Sequence, residues 1–409
     1  MRVATFALSL FLLVQLRGGR FKYPATRPAF VIIFILLCSI LHPQTNTLLS
    51  WAAQIAMYVA ILGPIFWVRH TNVTTSGFRL LILIMWLFHS ISALFGVLQV
   101  YYPGKFQPFL STASQSNPFL EGLQITLANG QTVYRPMGLT DQPGGAALAG
   151  FYAIIFGVGI ALNSRNRLLQ GFCALSSAIG LFVITLTQVR SVLMFVIICL
   201  LSLALVLLVQ KKIGRLAALS GGIVSISIAV MGWAVAVGGQ STIDRFSALL
   251  ADRADAVYYE HRGYFLEETL NHHLPQYPLG AGLGRWGMMH SYFGHDSFHS
   301  PSLWVEIQWT AWLFDGGVLL IIAYVAALLI AFHIAWKIAM SREMGDLQFW
   351  GMLIFAYDVG SLAITFNYPL FISQTGMEFW LLNAALYTAA CTSWRQNVQN
   401  KLLYPLEPT

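Results

Sequence analysis

Residues 190–209 read RSVLMFVIICLLSLALVLLV, a run whose single charged side chain is the arginine at its start. A helix rises about 1.5 Å per residue, so this run is long enough to cross a hydrocarbon core of roughly 30 Å. A lone strand at that depth would leave its backbone groups without hydrogen-bond partners. The run therefore predicts a membrane-spanning helix.

Ten further apolar runs extend along the chain on both sides of this one. They occupy about residues 3–16, 29–41, 48–68, 78–101, 146–163, 168–187, 216–238, 311–336, 346–364 and 376–394. The first two are short, so we expect about eleven spans, within a range of ten to twelve. The chain is 57% hydrophobic and only 10% charged, whereas soluble domains carry about 25% charged residues. The sequence predicts an all-α integral membrane protein with one polytopic domain, residues 1–409.

Lysine and arginine are unevenly distributed between alternate loops. One set of loops contains fifteen of the 23: Arg17, Arg20, Lys22, Arg27, Arg69, Arg79, Arg165, Arg167, Lys211, Lys212, Arg215, Lys337, Arg342, Arg395 and Lys401. The positive-inside rule assigns this set to the cytoplasm. The two longest loops, residues 102–145 and 239–310, are then expected on the outer face. The net charge of +7 is accordingly a topology signal and does not indicate nucleic-acid binding.

The larger outer loop concentrates the titratable side chains. Its histidines are His261, His272, His273, His290, His295 and His299, and its arginines are Arg245, Arg253, Arg262 and Arg285. Residues 242–270 carry apolar side chains at helical spacing, which predicts a helix lying on the membrane surface. Pro275, Pro278 and Gly280 are expected to break the chain after it. This loop is where we expect chemistry or binding.

Three arginines are candidates for binding an anion, because the guanidinium fork suits phosphate. Arg190 stands between two apolar runs at the expected outer interface, either as an anchor that reaches lipid headgroups or as a cation that binds an anionic one. Arg262 and Arg253 could extend the same anion site. Each could instead belong to a solvated helix face, paired with an acidic residue among Asp252, Asp255, Glu260 and Glu267.

His299 lies in the segment HDSFHSPSLWVEIQW, residues 295–309. Ser300 followed by Pro301 is typical of a helix start, with serine as the cap and proline at the first helical position. His299 would then stand beside the positive end of a helix dipole, where an oxyanion is favoured. A near-neutral imidazole there can take a proton from a hydroxyl. The alternative is a surface histidine in a loop.

The same segment has a superficial likeness to a zinc-protease motif. His295 and His299 stand four residues apart, but Asp296 replaces the glutamate of HExxH, and Pro301 disfavours a continuous helix. No metal site is predicted.

Two further patterns lie outside that segment. Residues 282–287, GLGRWG, match GxGxxG with no strand before them, and are interpreted as a tight turn. Asp358 and Glu378, in or beside apolar runs, could mark an ion or proton path.

Five short landmarks follow one another over about residues 130–340. They are Arg135-Pro-Met-Gly-Leu-Thr-Asp141-Gln-Pro-Gly, Arg190-Ser, Arg262 followed by Phe265, Pro278-Leu-Gly-Ala-Gly-Leu-Gly284, and His299 with Leu303, Glu306 and Gly316-Gly317. Their order resembles that of the bacterial O-antigen ligase and O-antigen polymerase superfamily of membrane glycosyltransferases. Ser300 stands where the ligases usually have asparagine, and Phe265 where tryptophan is usual. Ligase and polymerase are therefore left undecided.

The resemblance implies a donor and a chemistry. The donor would be a glycan on undecaprenyl diphosphate, exposed at the outer leaflet of the bacterial inner membrane, and the acceptor a hydroxyl of a saccharide, lipid or protein. Arg190 and Arg262 would hold the diphosphate, and His299 would activate the acceptor. The transfer would invert the anomeric centre without a metal or other cofactor. Further candidate substrate contacts are Arg135, Asp141, Arg253, Arg285, His295 and Glu306.

Other function classes stay open. A secondary transporter or flippase for a lipid-linked or anionic substrate would place ionisable groups near the membrane midplane, where Asp358 is the residue expected. A metalloprotease would lose activity with chelators, whereas the transferase would not. The aromatic side chains of the outer loop could stack on sugar rings or form an interfacial belt with membrane lipids.

Overall fold

The computed structural model describes residues 4–15, 22–107, 120–140, 142–251, 259–298 and 300–403, and these residues are mostly helical. The long helices of this part are α1 (Ala4–Val14), α2 (Thr26–Cys38), α3 (Leu48–Trp67), α4 (Thr75–Tyr101), α5 (Pro143–Asn163), α6 (Arg167–Thr187), α7 (Arg190–Val209), α8 (Ile213–Ala251), α9 (Gln308–Met340), α10 (Asp346–Ile364) and α11 (Gln374–Leu403). Each of them overlaps one of the apolar runs.

Within the described chain, eight helical segments are long and apolar enough to cross a membrane. They are Leu48–His70, Thr75–Tyr101, Pro143–Asn163, Arg167–Thr187, Arg190–Val209, Ile213–Gln240, Gln308–Met340 and Asp346–Ile364. Ala4–Val14 and Thr26–Leu41 are shorter apolar helices, and α11 is long but more polar. The all-α, multi-pass membrane class is therefore supported, while a total of eleven spans stays a prediction.

The chain divides into two compact units, one made of Met1–Phe78 with Tyr258–Thr409 and the other of Arg79–Val257. The first unit is discontinuous in sequence, because α1 and α11 pack on α3 and α2 packs on α9. The second unit is continuous and contains α4 to α8. The boundary falls inside the predicted outer loop 239–310, so the two parts of that loop belong to different units.

Glycine allows the most extensive helix pairing of the second unit, between α5 and α6. Gly150 and Gly180 face each other, and a Cβ on Gly150 would lie 2.5 Å from the Gly180 carbonyl oxygen. Any side chain at this crossing would push the helices apart. On the other side of α6, the ring of Phe182 stacks on Trp233 of α8 with centroids 3.6 Å apart.

A short hairpin, which the sequence did not predict, lies in the first of the predicted outer loops. Strands β1 (Gln124–Thr126) and β2 (Thr132–Tyr134) are antiparallel, with Ile125 opposite Val133. The hairpin is held on α8, because the Ala128 N–H donates to the Val237 carbonyl at 2.9 Å. Just beyond, α8 kinks at Gly239, which has a φ of 58°.

In the first unit, α9 is broken near its start by Gly316 and Gly317. The Pro278 carbonyl accepts a hydrogen bond from Val318 N–H at 3.0 Å, and Ala281 N–H donates to the Phe314 carbonyl at 2.7 Å. Gly317 has a φ of 67°, and a Cβ there would overlap the Pro278 carbonyl oxygen. The segment that begins at Pro278 therefore satisfies the backbone groups that the helix break exposes.

Candidate functional site in the polar segment

We call the described residues from 259 to 307, which precede α9, the polar segment. This segment begins with a series of short helical turns. They cover Tyr259–Gly263, Tyr264–Glu268, Thr269–His273 and Leu274–Gln276. Together with the part of α8 up to Ala251, they support the predicted helix over 242–270 for the residues that are described. Thr269 Oγ1 lies 2.5 Å from Thr310 Oγ1, which ties these turns to the first turn of α9.

Two of the predicted site residues meet in this unit. Arg262 forms an ion pair with Glu306, and their side chains are 37% and 22% exposed. Partial burial lowers the pKa of the Arg262 guanidinium, which nevertheless keeps its charge at any physiological pH. Among the described residues, Arg262 thus pairs with Glu306, a carboxylate just ahead of α9 that was not among the acidic residues suggested by sequence proximity.

The glycine-rich stretch 280–287 forms tight turns on the N-terminal end of α3. Gly280, Gly282 and Gly284 all have positive φ values. A Cβ on Gly282 would lie 2.6 Å from Thr45 N, and one on Gly284 would overlap Ser50 Oγ. The structure therefore supports a tight turn and shows no strand before this GxGxxG match in the described chain.

Arg285 is a buried clamp at the centre of these turns, with 1% of its surface exposed. Its Nε donates to the Pro301 carbonyl at 3.0 Å, and one terminal nitrogen donates to Gln44 Oε1 at 3.0 Å and to the Ala281 carbonyl at 2.7 Å. The sequence makes this arginine a candidate for substrate contact, with shaping of its own loop as the alternative. These contacts favour loop shaping, and we treat Arg285 as a positioning residue.

Phe293, His295 and Ser300 are held by hydrogen bonds from the loop between α2 and α3. The Asn46 amide accepts from His295 N–H and donates to the His295 carbonyl, both at 2.8 Å, and it also donates to Ser300 Oγ at 3.3 Å. Thr47 Oγ1 donates to the Phe293 carbonyl at 2.6 Å. The backbone of His295 is therefore fixed while its side chain is exposed, which leaves the imidazole accessible to a ligand.

Asp296 organises the turn that follows. Its Oδ1 accepts from Ser302 N–H at 2.9 Å and lies 3.3 Å from His290 Nε2. The Ser302 hydrogen bond lowers the pKa of the Asp296 carboxyl, and His290 lowers it further. His290 Nδ1 in turn lies 3.2 Å from the Gly284 carbonyl oxygen. Through His290, the Asp296 side chain thus connects the glycine turns with the stretch that leads to α9.

The predicted helix start at Ser300-Pro301 is wrong. Residues 301–306 have no regular structure, and α9 begins at Gln308, with Ile307 as its N-terminal flanking residue. Tertiary hydrogen bonds hold this stretch against other parts of the polar segment, since Ser302 N–H donates to Asp296 and Leu303 N–H donates to the Arg285 carbonyl at 2.7 Å. A helix dipole at this point therefore gives no support to the expected role of His299.

Three predicted site residues, His299, Asp141 and Arg253, lie outside the described residues. Their roles stay predictions. On either side of His299, Phe298 is 97% exposed and Ser300 is buried. Ser300 Oγ lies 2.9 Å from Ser297 Oγ, and its backbone N–H donates to Ser297 Oγ at 3.1 Å.

Arg190 and Arg135 belong to the second unit. Arg190 opens α7 directly after Gln188, whose left-handed φ of 55° ends α6, so the predicted near-absence of a loop is confirmed. Arg135 follows β2, and its N–H donates to the Leu123 carbonyl at 2.8 Å. Because Arg190 and Arg262 lie in different units, their sharing of one diphosphate stays a prediction.

The turn after Arg135 is fixed by one buried amide of α4. Gln99 Oε1 accepts from the N–H groups of Met137 and Gly138 at 2.8 and 2.9 Å, and its Nε2 donates to the Gly138 carbonyl at 2.7 Å. The landmark that begins Arg135-Pro-Met-Gly is thus held firmly within its own unit.

Sequence reasoning missed the residues that anchor the polar segment. Gln44, Asn46 and Thr47 belong to a short polar stretch, HPQTNT, between two apolar runs, and its polarity was the only signal. Asp315 was missed as well, although an acidic residue inside an apolar run is a functional candidate.

Asp315 is buried in α9 and accepts hydrogen bonds from three side chains. Tyr58 and Gln54 donate to its Oδ2 at 2.5 and 3.2 Å, and Trp286 donates to its Oδ1 at 2.8 Å. These bonds connect α3, the glycine turns and α9 in the core beneath the polar segment.

Compared with known families and curated proteins, the chain matches no family model and no curated sequence, so the case for its function rests on the residues themselves.

Proposed function

We propose that the chain is a glycosyltransferase of the bacterial inner membrane, of the O-antigen or exopolysaccharide ligase or polymerase type. It transfers a glycan from undecaprenyl diphosphate to an acceptor hydroxyl at the periplasmic face. The observation that carries the proposal is the Arg262–Glu306 pair, which places a partly exposed cation on the anchored polar segment. The distribution of Lys and Arg supports the periplasmic orientation.

The chemistry requires cations for the leaving group and a base for the nucleophile. A guanidinium has five N–H donors, and the contact with Glu306 is made by one terminal nitrogen of Arg262, so the same group can also bind phosphate oxygens. Arg190 supplies a second cation. The acceptor hydroxyl attacks the anomeric carbon as the bond to the diphosphate oxygen breaks, and His299 takes the hydroxyl proton. Negative charge then develops on the lipid diphosphate, where the arginines stabilise it.

Exposed aromatic side chains on the polar segment suit a saccharide. Trp304 is 69% exposed, and Tyr264, Tyr292 and Phe298 are exposed as well. Aromatic faces offer large, rigid contact area, on which the apolar faces of sugar rings can stack. An interfacial belt uses the same residue types, so a Trp304→Ala variant that transfers glycan normally would assign Trp304 to the belt.

The second candidate is a transporter or flippase, and the buried Asp358 of α10 favours it. Transporters bind their coupling ions near the bilayer midplane, where they use ionisable side chains. The two candidates differ in a simple requirement. A transporter depends on an ion gradient or on two compartments, whereas the transferase works in detergent, where neither exists.

The decisive experiment uses a host strain that lacks the gene and carries wild type, His299→Ala, Arg190→Ala, Arg262→Ala or the control Arg167→Ala. Arg167 is exposed and bonds locally to Gln170 at 3.3 Å. Glycan length is read on gels, lipid-linked donor by mass spectrometry, and protein level by immunoblot.

We expect long glycan to disappear and donor to accumulate in the three test variants, with the control normal. Normal glycan in His299→Ala and Arg190→Ala at equal protein level would reject the transferase site. If the site holds, the end of the wild-type product decides the type of enzyme. Glycan that remains on the lipid diphosphate indicates a polymerase, and glycan on a different acceptor indicates a ligase.

A further inference from the structure

Asp358 of α10 is a carboxylate with an incomplete set of partners. It is 0% exposed, and Asn383 of α11 donates its side-chain amide to Oδ1 at 2.8 Å. In the described chain, Oδ2 has no hydrogen-bond partner. A native structure leaves few buried polar atoms unsatisfied, and each such atom needs an explanation, for example an ion.

Two buried hydroxyl groups of the same unit share this condition. Ser361 lies one helical turn further along α10 with its Oγ fully buried, and Tyr23 lies just before α2. Neither oxygen has a hydrogen-bond partner among the residues described. We call Tyr23, Asp358, Ser361 and Asn383 the Asp358 cluster.

Tyr23 is connected to Asp358 and to α11. Burial raises the pKa of the Tyr23 phenol, and the negative charge of Asp358 raises it further. The Tyr23 ring packs on Tyr387 with centroids 5.2 Å apart. Tyr387 is one turn along α11 from Asn383, so the cluster joins three chain segments of one unit.

Asp315 shows what a carboxylate satisfied by the protein looks like in the same unit. Its two oxygens accept from Tyr58, Gln54 and Trp286. Asp358 has one amide donor, and the described residues place no lysine, arginine or histidine in contact with it. An ionised carboxylate buried without compensation is strongly destabilising, so Asp358 must be neutralised, either by a proton or by a cation from outside the chain.

We propose that the Asp358 cluster binds a monovalent metal cation, ligated by Asp358 Oδ2 with the hydroxyl oxygens of Ser361 and Tyr23. Hard cations prefer carboxylate and hydroxyl oxygens over nitrogen and sulfur ligands. A single positive charge neutralises the single carboxylate and leaves no net charge in the membrane interior. Asn383 holds the other carboxylate oxygen and so orients Oδ2.

A bound proton is the competing explanation. A proton binds one carboxyl oxygen and can bridge to at most one further oxygen, whereas a metal ion takes several oxygen ligands at once. Binding is measured without glycan, so the proposal stands or falls independently of the transferase activity.

The test is thermal unfolding of the purified full-length protein in detergent, in NaCl or in choline chloride at equal ionic strength. A ligand that binds only the folded state raises Tm with its concentration. We expect a saturable rise of about 3–6 °C with Na+ and none with choline, and LiCl and KCl are measured alongside. Equilibrium binding of radioactive Na+ to the wild type gives an independent readout.

Two variants locate the site. Asp358→Asn keeps an acceptor for the Asn383 amide and should abolish the response to Na+. Ser361→Ala removes one proposed ligand. It should raise the Na+ concentration that gives half of the maximal rise in Tm by about tenfold. Asp315→Asn is the matched control, because it also removes one buried carboxylate of the unit, and its response to Na+ should persist.

Three results would overturn the proposal. The first is a wild-type Tm that is the same in choline and in every alkali chloride, with no bound radioactive Na+. The second is an Asp358→Asn variant that responds to Na+ like the wild type. The third is a response lost in Asp315→Asn and kept in Asp358→Asn. If Asp358→Asn does not fold, Ser361→Ala and the binding measurement on wild type still decide.

Discussion

Arg262 and Glu306 form an ion pair that joins the first helical turns of the polar segment to the residues just ahead of α9. The intervening chain is held separately, by Arg285 on one side and by Asn46 and Thr47 on the other. Since these contacts fix its backbone without the ion pair, the pair is available for a role in binding.

Arg262→Ala should reduce glycan transfer by about 100-fold or more, the scale for losing one donor to a developing charge. The free energy of unfolding should fall by less than about 1 kcal/mol, because partly exposed ion pairs contribute little to stability. The two effects are measured as product formed per unit of protein and as Tm in detergent. The exchange Arg262→Glu with Glu306→Arg is the control, and transfer restored by it would mean that the pair is structural.

Arg285→Met should destabilise the fold by about 3 kcal/mol or more, because Gln44 and two carbonyl groups lose a buried, charged donor. Gln44→Ala removes one of the three bonds and should cost about 1 kcal/mol. Thermal unfolding should therefore rank wild type, Gln44→Ala and Arg285→Met in order of falling Tm. Equal Tm values for the two variants would contradict the clamp role.

Gly284→Ala and Gly287→Ala form a matched pair, since both glycines have positive φ values, 76° and 65°. A Cβ on Gly284 would overlap Ser50 Oγ, whereas one on Gly287 meets nothing within 4 Å. Gly287→Ala should cost about 1 kcal/mol of backbone strain, and Gly284→Ala clearly more. The comparison is made by Tm, and a larger loss in Gly287→Ala would show that the turns do not pack on α3 as described.

His273 should make stability depend on pH. Burial lowers the pKa of the His273 imidazole, against the opposing effect of Glu268, and His272 lowers it further. The unfolded chain then binds the proton more readily than the folded one, so the contribution is fully present above the ordinary histidine pKa of about 6.5 and is lost as pH falls towards the folded value. Tm should fall between about pH 7 and pH 5, and less so in His273→Gln.

Glu268→Gln provides the control for this assignment. Its carboxylate lies 3.8 Å from His273 Nε2 and favours the charged imidazole. Removing it should lower the folded pKa of His273 further and extend the loss of stability to more acidic pH. A shift in the opposite direction would assign the pH dependence to another group.

The helices could be predicted from the sequence because each depends on a local property, the length of an apolar run. The break between α6 and α7 at Gln188–Arg190 was foreseen for the same reason. The α9 start was predicted wrongly, because Ser300-Pro301 has local helix-start chemistry, whereas the residues that follow are held by tertiary hydrogen bonds to Asp296 and to the Arg285 carbonyl.

The site could be predicted only in part. Arg262 and Glu306 were both candidates, yet their pairing joins residues that are distant in sequence, and the nearer acidic residues were the obvious partners. The anchoring side chains Gln44 and Asn46 lie even further away, and nothing local marks a polar loop as the support of a distant segment. Pairings of this kind depend on tertiary packing, which a single sequence does not encode as a local pattern.

The bonds between Asn46 and the stretch around His295 bridge 249 residues of chain. At roughly 5–20 residues per second of synthesis, Asn46 leaves the ribosome between about 12 and 50 s before its partner exists. The unit Arg79–Val257, continuous in sequence, is complete during that interval. During synthesis, the N-terminal helices must therefore be kept from pairing with wrong partners in the bilayer until the late segments are made. Depletion of membrane-insertion chaperones should accordingly lower the cellular level of this protein.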